Sequence, residues 1–196
     1  MKDKSENLLS VDEIQNWVKA KIGRRLHMAA VHLGREGYSL GFEGFLTAKG
    51  LQGHLGLETY PCFQITRYRE ATHANHVVEK LMAGKADILL LSYQIYPEDP
   101  FIKKEVKELG QNRKLPRHLV KVIVGEEFGR SSPRFLGYDL GLGEEISPLE
   151  AAQKIVYQWD QKMGSARHEG RASHASHEGP SLQEPKRSLW NIFGRK

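Results

Sequence analysis

Residues 86–96 read ADILLLSYQIY, a near-continuous apolar run. A strand that alternates apolar and polar residues keeps one wet face; one that does not alternate is buried on both faces, as inner strands are in a parallel pairing. Upstream, the spacing becomes helical from about Arg69 to Ala83, with Gly84 as its stop. Downstream, a helix over about Pro100 to Leu109 and a strand over Leu119 to Val124 complete a β-α-β unit.

Two helices frame this unit. Ser10 precedes Val11-Asp12-Glu13 and Ser147 precedes Pro148-Leu149-Glu150, so each serine can accept from an early backbone N–H while a glutamate three residues on reaches back. Pro148 suits the first helical position, where its missing N–H costs nothing. Val11, Ile14, Trp17, Val18 and Ile22 form one apolar stripe, closed by Gly23; Leu149, Ala152, Ile155, Val156, Trp159 and Met163 form another. Between the first helix and the run, Tyr38, Leu40 and Phe42 alternate with polar neighbours. The alternation resumes after Gly50 at Leu51, Gly53, Leu55 and Leu57, the pattern of a hairpin. Pro61 leads a third strand over Cys62 to Tyr68, and Phe135 to Leu140 offers a further one. The expected fold class is α/β (or α+β), in the order α-βββ-α-β-α-β-β-α: a mixed sheet with helices on both faces, in a single domain over residues 1–163.

The chain of 196 residues is 39% hydrophobic and 27% charged, an ordinary composition for one domain. No apolar run approaches the roughly 18 residues a membrane-spanning helix needs. The opening MKDKSENLLS has no hydrophobic stretch behind its basic start, so no secretory signal is expected and the cytoplasm is the expected location. Cys62 is the one cysteine, which excludes an internal disulfide and any multi-cysteine zinc site. The formal charge of +5 is uneven: residues 164–196 hold six of the 29 Lys/Arg and three of the 24 Asp/Glu, leaving 23 against 21 in the body. A nearly neutral body removes the bulk electrostatic case for nucleic-acid binding and leaves local patches. The densest is Lys103, Lys104, Lys107, Arg113, Lys114, Arg117 and Lys121 against Glu105 and Glu108. It lacks interleaved aromatics for stacking bases, so it suits a weak contact with a phosphate backbone or an acidic protein better than single-strand recognition, with a solvated helix and loop as the alternative reading.

In order, the first six elements resemble the restriction-endonuclease-like nuclease core, and the elements from the hairpin onward resemble the RNase H-like core. Both resemblances imply cleavage by carboxylate-bound metal. The first wants an acid near the second strand, where Glu58 could stand, and an acid-x-lysine on the third, which reads Phe63-Gln64-Ile65-Thr66-Arg67 instead. For the second, Glu43 could supply the first carboxylate, but the long strand ends Ser92-Tyr93-Gln94 with no acid before Glu98-Asp99. The stretch FLGYDLG at 135–141 is similar to the opening strand of RNase H-like resolvases and actin-like ATPases, where an Asp flanked by glycines holds metal or phosphate. There a hairpin follows; here a helix does.

His73, His76 and Glu79, with Glu70, recur at steps of three and could supply metal ligands from one helix face. Each such step drifts by about 60° around a 3.6-residue helix, and the alternative is a solvated face opposite Ala74, Val77, Val78 and Leu81. No Gly-x-Gly-x-x-Gly follows a strand and no Gly-Lys-Ser/Thr occurs, so no nucleotide cofactor is expected. Cys62 sits beside an aromatic in a predicted strand, where a free thiol is usually core. Glu126, Glu127, Arg130, Arg134 and Asp139 could line a cleft at the strand ends.

From Gly164 to Arg187 the sequence is rich in Gly, Ser, Ala, His and Pro, and its stretch to Lys186 lacks aromatic and β-branched residues, which predicts a flexible linker. Residues 188–196 then restore large apolar side chains, Leu189, Trp190, Ile192 and Phe193, between Lys186-Arg187 and Arg195-Lys196. They form a short amphipathic docking peptide, similar in style to the C-terminal membrane tags of bacterial cytoskeletal proteins, and suited to a protein groove or a membrane surface. The functional expectation is a non-catalytic cytoplasmic binding or adaptor protein, peripheral to the membrane if the tail meets lipid. The alternative is a divergent metal-dependent nuclease or phosphoryl hydrolase.

Overall fold

The computed structural model describes residues 9–33, 46, 56–71, 73–93, 100–125, 133–143 and 146–172. Helix α1 (Val11–Ile22) opens with both halves of the predicted capping box: Ser10 Oγ accepts from the Glu13 N–H at 3.3 Å, and the Glu13 carboxylate accepts from the Ser10 N–H at 2.7 Å. The Ser10 N–H and the Ser10 hydroxyl, both donating to that carboxylate, hold it below its usual range. Gly23, at φ 69°, ends the helix in the left-handed conformation that glycine adopts without penalty. Then follow β1 (Leu26–Leu33), β2 (Phe63–Ala71), α2 (Ala74–Gly84), β3 (Ile88–Tyr93), α3 (Pro100–Gly110), β4 (Val120–Val124), β5 (Leu140–Leu142) and α4 (Pro148–Ala172). Short 3-10 turns occupy Leu57–Thr59 and Pro133–Leu136.

The strands pair in the order β2-β1-β3-β4-β5, and every described pairing is parallel. The predicted α/β class with helices on both faces therefore holds, while the mixed sheet gives way to a parallel one. One of its inner strands, β1, between β2 and β3, reads LHMAAVHL, a segment without alternation that lies outside every element expected from the sequence. The anticipated hairpin over Tyr38 to Leu57 falls mostly outside the described residues; Leu57 itself lies in the short turn before β2. The helix anticipated from Arg69 begins instead at Ala74, because Arg67 and Tyr68 pair with Ala30 and Val31, and Ala71 with Leu33, extending β2 to Ala71. The strand anticipated at Phe135 is a 3-10 turn, and pairing with β4 starts only at Leu140. Helix α4 continues to Ala172, into the stretch assigned to a linker, and residues 173–196 with the docking peptide lie outside the described residues.

Alternation along the parallel strands sends side chains to two apolar layers. Met28, Ala30, Ile88, Leu90, Val120 and Val122 meet Ile14 and Val18 of α1 and Ile155 and Trp159 of α4. Ala29, Val31, Leu89, Leu91 and Ile123 meet Val77 and Leu81 of α2 and Val106 and Leu109 of α3. Helices α1 and α4 touch through Trp17 and Trp159, edge to face at 6.0 Å. Among the described residues, no helix is long and apolar enough to cross a membrane.

Candidate functional site

In a sheet of order 2-1-3-4-5 the chain leaving β1 turns toward β2 while the chain leaving β3 turns the other way, toward β4. Here the described residues between β1 and β2, Leu46, Leu57, Tyr60 and Cys62, pack with α1 and α4, whereas α3, which follows β3, packs on the opposite face. The strand order thus reverses at the carboxyl ends of β1 and β3, the place where parallel α/β sheets bind ligands in a crevice.

Two polar residues stand at that point. His32 and Ser92 are direct register partners on β1 and β3. Alternation places them on the α1/α4 face, in line with Val124 of β4, which pairs with Ser92. They are 1% and 5% exposed, and His32 Nδ1 lies 3.2 Å from Ser92 Oγ. Burial pushes the His32 pKa down, so its imidazole is neutral at physiological pH and presents one donor and one acceptor. A neutral histidine and a hydroxyl at the carboxyl end of this pair of strands can orient a ligand by hydrogen bonds without demanding a charge on it. Nothing in the spacing of His32 within its apolar run separated it from a core histidine; only the strand order gives it a place.

The opposite, amino edge carries the ion pairs. Asp87, just before β3, accepts from Arg24 at 2.6 and 2.8 Å and from the His27 N–H at 2.8 Å. His27 in turn bridges the Gly84 carbonyl, 2.9 Å from Nδ1, and Thr66 Oγ1, 2.8 Å from Nε2. Asp139, just before β5, accepts from the Lys121 N–H at 2.7 Å and from Lys162 Nζ at 2.6 Å. These bonds fix strand starts, and they account for the Asp of FLGYDLG: Asp139 is held by two lysines at the foot of the sheet, away from the carboxyl edge.

The remaining candidates separate. His73 is the residue before α2, with Nδ1 3.6 Å from the Glu105 carboxylate, and its ring meets Phe101 edge to face at 5.4 Å. His76 and Glu79 lie exposed on α2. Because Arg69 to Ala71 belong to β2, Glu70 and His73 do not share a helix with His76 and Glu79. Among the described residues no group of three or more His, Cys, Asp or Glu side chains comes within reach of one metal ion. Glu58 is paired with Arg67 at 2.7 Å. Cys62 is buried, and desolvation pushes its pKa up to about 12, so its thiol stays protonated. Lys103, Lys104, Lys107, Arg113, Lys114 and Arg117 are all exposed along α3 and the segment after it, whereas Lys121 turns inward onto the Gly110 carbonyl, where burial lowers its pKa against the opposing pull of Asp139. Of the cleft residues, Arg134 is exposed and Asp139 lies at the amino edge; Glu126, Glu127 and Arg130, like Glu43, Glu98 and Asp99, lie outside the described residues.

The chain resembles β subunits of lysine 5,6-aminomutase. It is 25% identical over 163 residues to the subunit from Acetoanaerobium sticklandii, covering 82% of this chain and 62% of that protein. It is 24% identical over 137 residues to the subunit from Fusobacterium nucleatum, covering 69% and 52%. The chain thus spans less than two thirds of the length of these curated relatives. No family model matches it. Among solved structures, the signal receiver domain of the response regulator NarL from Mycobacterium tuberculosis superposes with a TM-score of 0.45 at 16% identity, over 72% of this chain and 98% of that one.

Proposed function

We propose that the chain is a non-catalytic binding subunit that holds a small organic ligand at the crevice between β1 and β3 and delivers it within an enzyme assembly of the lysine 5,6-aminomutase kind. The observation that carries the reading is the buried His32–Ser92 pair at the point where the strand order reverses. The similarity to proteins described as β subunits supports a partner that supplies the reacting groups. In this reading His32 and Ser92 orient the ligand by hydrogen bonds, and the peptide Leu189, Trp190, Ile192 and Phe193 reaches a second surface of the assembly.

The test is calorimetric titration of the purified chain with two cofactor probes of contrasting shape, flavin mononucleotide and cobalamin, alone and in His32→Phe and Ser92→Leu variants. Saturable binding of one probe, weakened roughly tenfold by either substitution as a lost polar contact requires, supports the reading. Absence of binding by both probes, or cleavage of nucleic acid or phosphate esters by the chain in Mg²⁺ or Mn²⁺, overturns it.

A further inference from the structure

We infer that the carboxyl end of α3, with the turn Pro133–Leu136 mounted on it, is a docking surface for an acidic protein segment that carries an apolar anchor residue. The sequence between Lys103 and Arg117 offers six cations against two carboxylates. The fold sharpens that excess: Glu105 is buried and accepts from the Ala74 N–H, capping α2 from a neighbouring helix, so it is withdrawn from the surface. Glu108 is left as the exposed acid, 3.6 Å from Lys104 one turn away. Lys103, Lys107, Arg113 and Lys114 are exposed along the helix and the segment after it.

An aromatic side chain is held out on the turn mounted on this helix. Phe135 is 67% exposed, the highest value among the exposed large apolar side chains of the described residues. Its exposure is imposed by rigid mounting. Gly137, at φ 88°, packs backbone to backbone on Gly110, with no room for a Cβ on either residue. Buried Tyr138 donates to the Val106 carbonyl at 2.8 Å, and the Gln111 amide donates to the Phe135 carbonyl at 3.1 Å. The turn is therefore clamped to the last turns of α3, and the ring between the clamps faces outward. An exposed aromatic ring on a turn clamped to a cation-rich helix matches the composition of interface hot spots, and the charge of that helix and of the segment after it selects an acidic partner. A protein is favoured over a nucleic acid because one ring cannot stack successive bases and the curated relatives are subunits. This surface rests on the subunit reading but lies on the face of the sheet opposite His32 and Ser92.

The experiment is fluorescence anisotropy of the full chain with three probes: a labelled Glu/Asp peptide with a central Trp, the same peptide with Ser replacing Trp, and single-stranded DNA of equal charge. Expected is preference for the Trp peptide, lost roughly tenfold in Phe135→Ser and in the double variant Lys107→Glu, Lys114→Glu. The Ser peptide should respond to charge reversal but not to Phe135→Ser. All three replaced residues are exposed, and circular dichroism melting confirms that the variants fold. Tighter binding of DNA than of either peptide, an unchanged affinity in Phe135→Ser, or no saturable peptide binding overturns the inference. The same variants titrated with the cofactor probes separate the two proposals: retained ligand binding with no peptide binding removes this surface alone, and loss of both removes the subunit reading with it.

Discussion

Asp87 grips Arg24 with both carboxylate oxygens, at 2.6 and 2.8 Å, and one of those oxygens also accepts the His27 N–H at 2.8 Å. The two partners are unequal. The Asp87 side chain is 8% exposed and that of Arg24 is 56% exposed, so water replaces the guanidinium more readily than it replaces the part-buried backbone N–H. Arg24→Ala should therefore cost less than about 1 kcal/mol, and Asp87→Ala about 2 kcal/mol, because it orphans the start of β1. Urea unfolding of both variants checks this; equal losses would show that the ion pair itself carries the stability.

His32 gives the fold a pH dependence of known sign. Burial lowers its folded-state pKa below the ordinary 6.5. As pH falls through about 6.5 the unfolded chain takes up a proton that the folded chain refuses, so stability declines from there toward the lower folded value. Thermal melts between neutral and mildly acidic pH should fall less steeply in His32→Gln than in the native chain. A native slope that the substitution leaves unchanged would assign the loss to other groups.

Cys62 should be silent toward thiol reagents. With its pKa near 12 and its side chain in the core, it offers almost no thiolate at neutral pH. Ellman's reagent should register no fast reaction in buffer and one equivalent after guanidinium unfolding. Rapid labelling of the folded protein would place the thiol nearer the surface.

The Gly110–Gly137 contact predicts a sharp intolerance. A Cβ on Gly137 would lie 2.5 Å from the Gly110 carbonyl carbon and oxygen, at a φ that other residues rarely adopt. Gly137→Ala should cost about 3 kcal/mol, from strain and overpacking together. Tyr138→Phe, which removes the hydroxyl that donates to the Val106 carbonyl, should cost about 1 kcal/mol. Chemical denaturation distinguishes the two magnitudes.

The sequence made the frame of this fold legible where local chemistry decides it: the Ser10 and Ser147 caps, the stop at Gly23 and the strand β3, buried from Ile88 to Ser92. It concealed β1, whose histidines and alanines carry no periodic signal and whose strand character comes from neighbours on both sides. It also misplaced the start of α2, since steps of three among polar residues suit a helix until pairing with β1 claims Arg67 to Ala71. Missing β1 hid the candidate site with it, because His32 acquires meaning only from lying across from Ser92, sixty positions away in the chain. The inward turn of Glu105 and the outward mounting of Phe135 were equally out of reach, as each depends on contacts between distant segments.

Both carboxylates that anchor strand beginnings, Asp87 and Asp139, sit on the same rim of the sheet. Foundations and the proposed site are thus kept at opposite ends of one short slab. Substitutions around the far rim can change the side chains presented there without loosening the footing. Related proteins should then differ most along that rim and least in how they stand up.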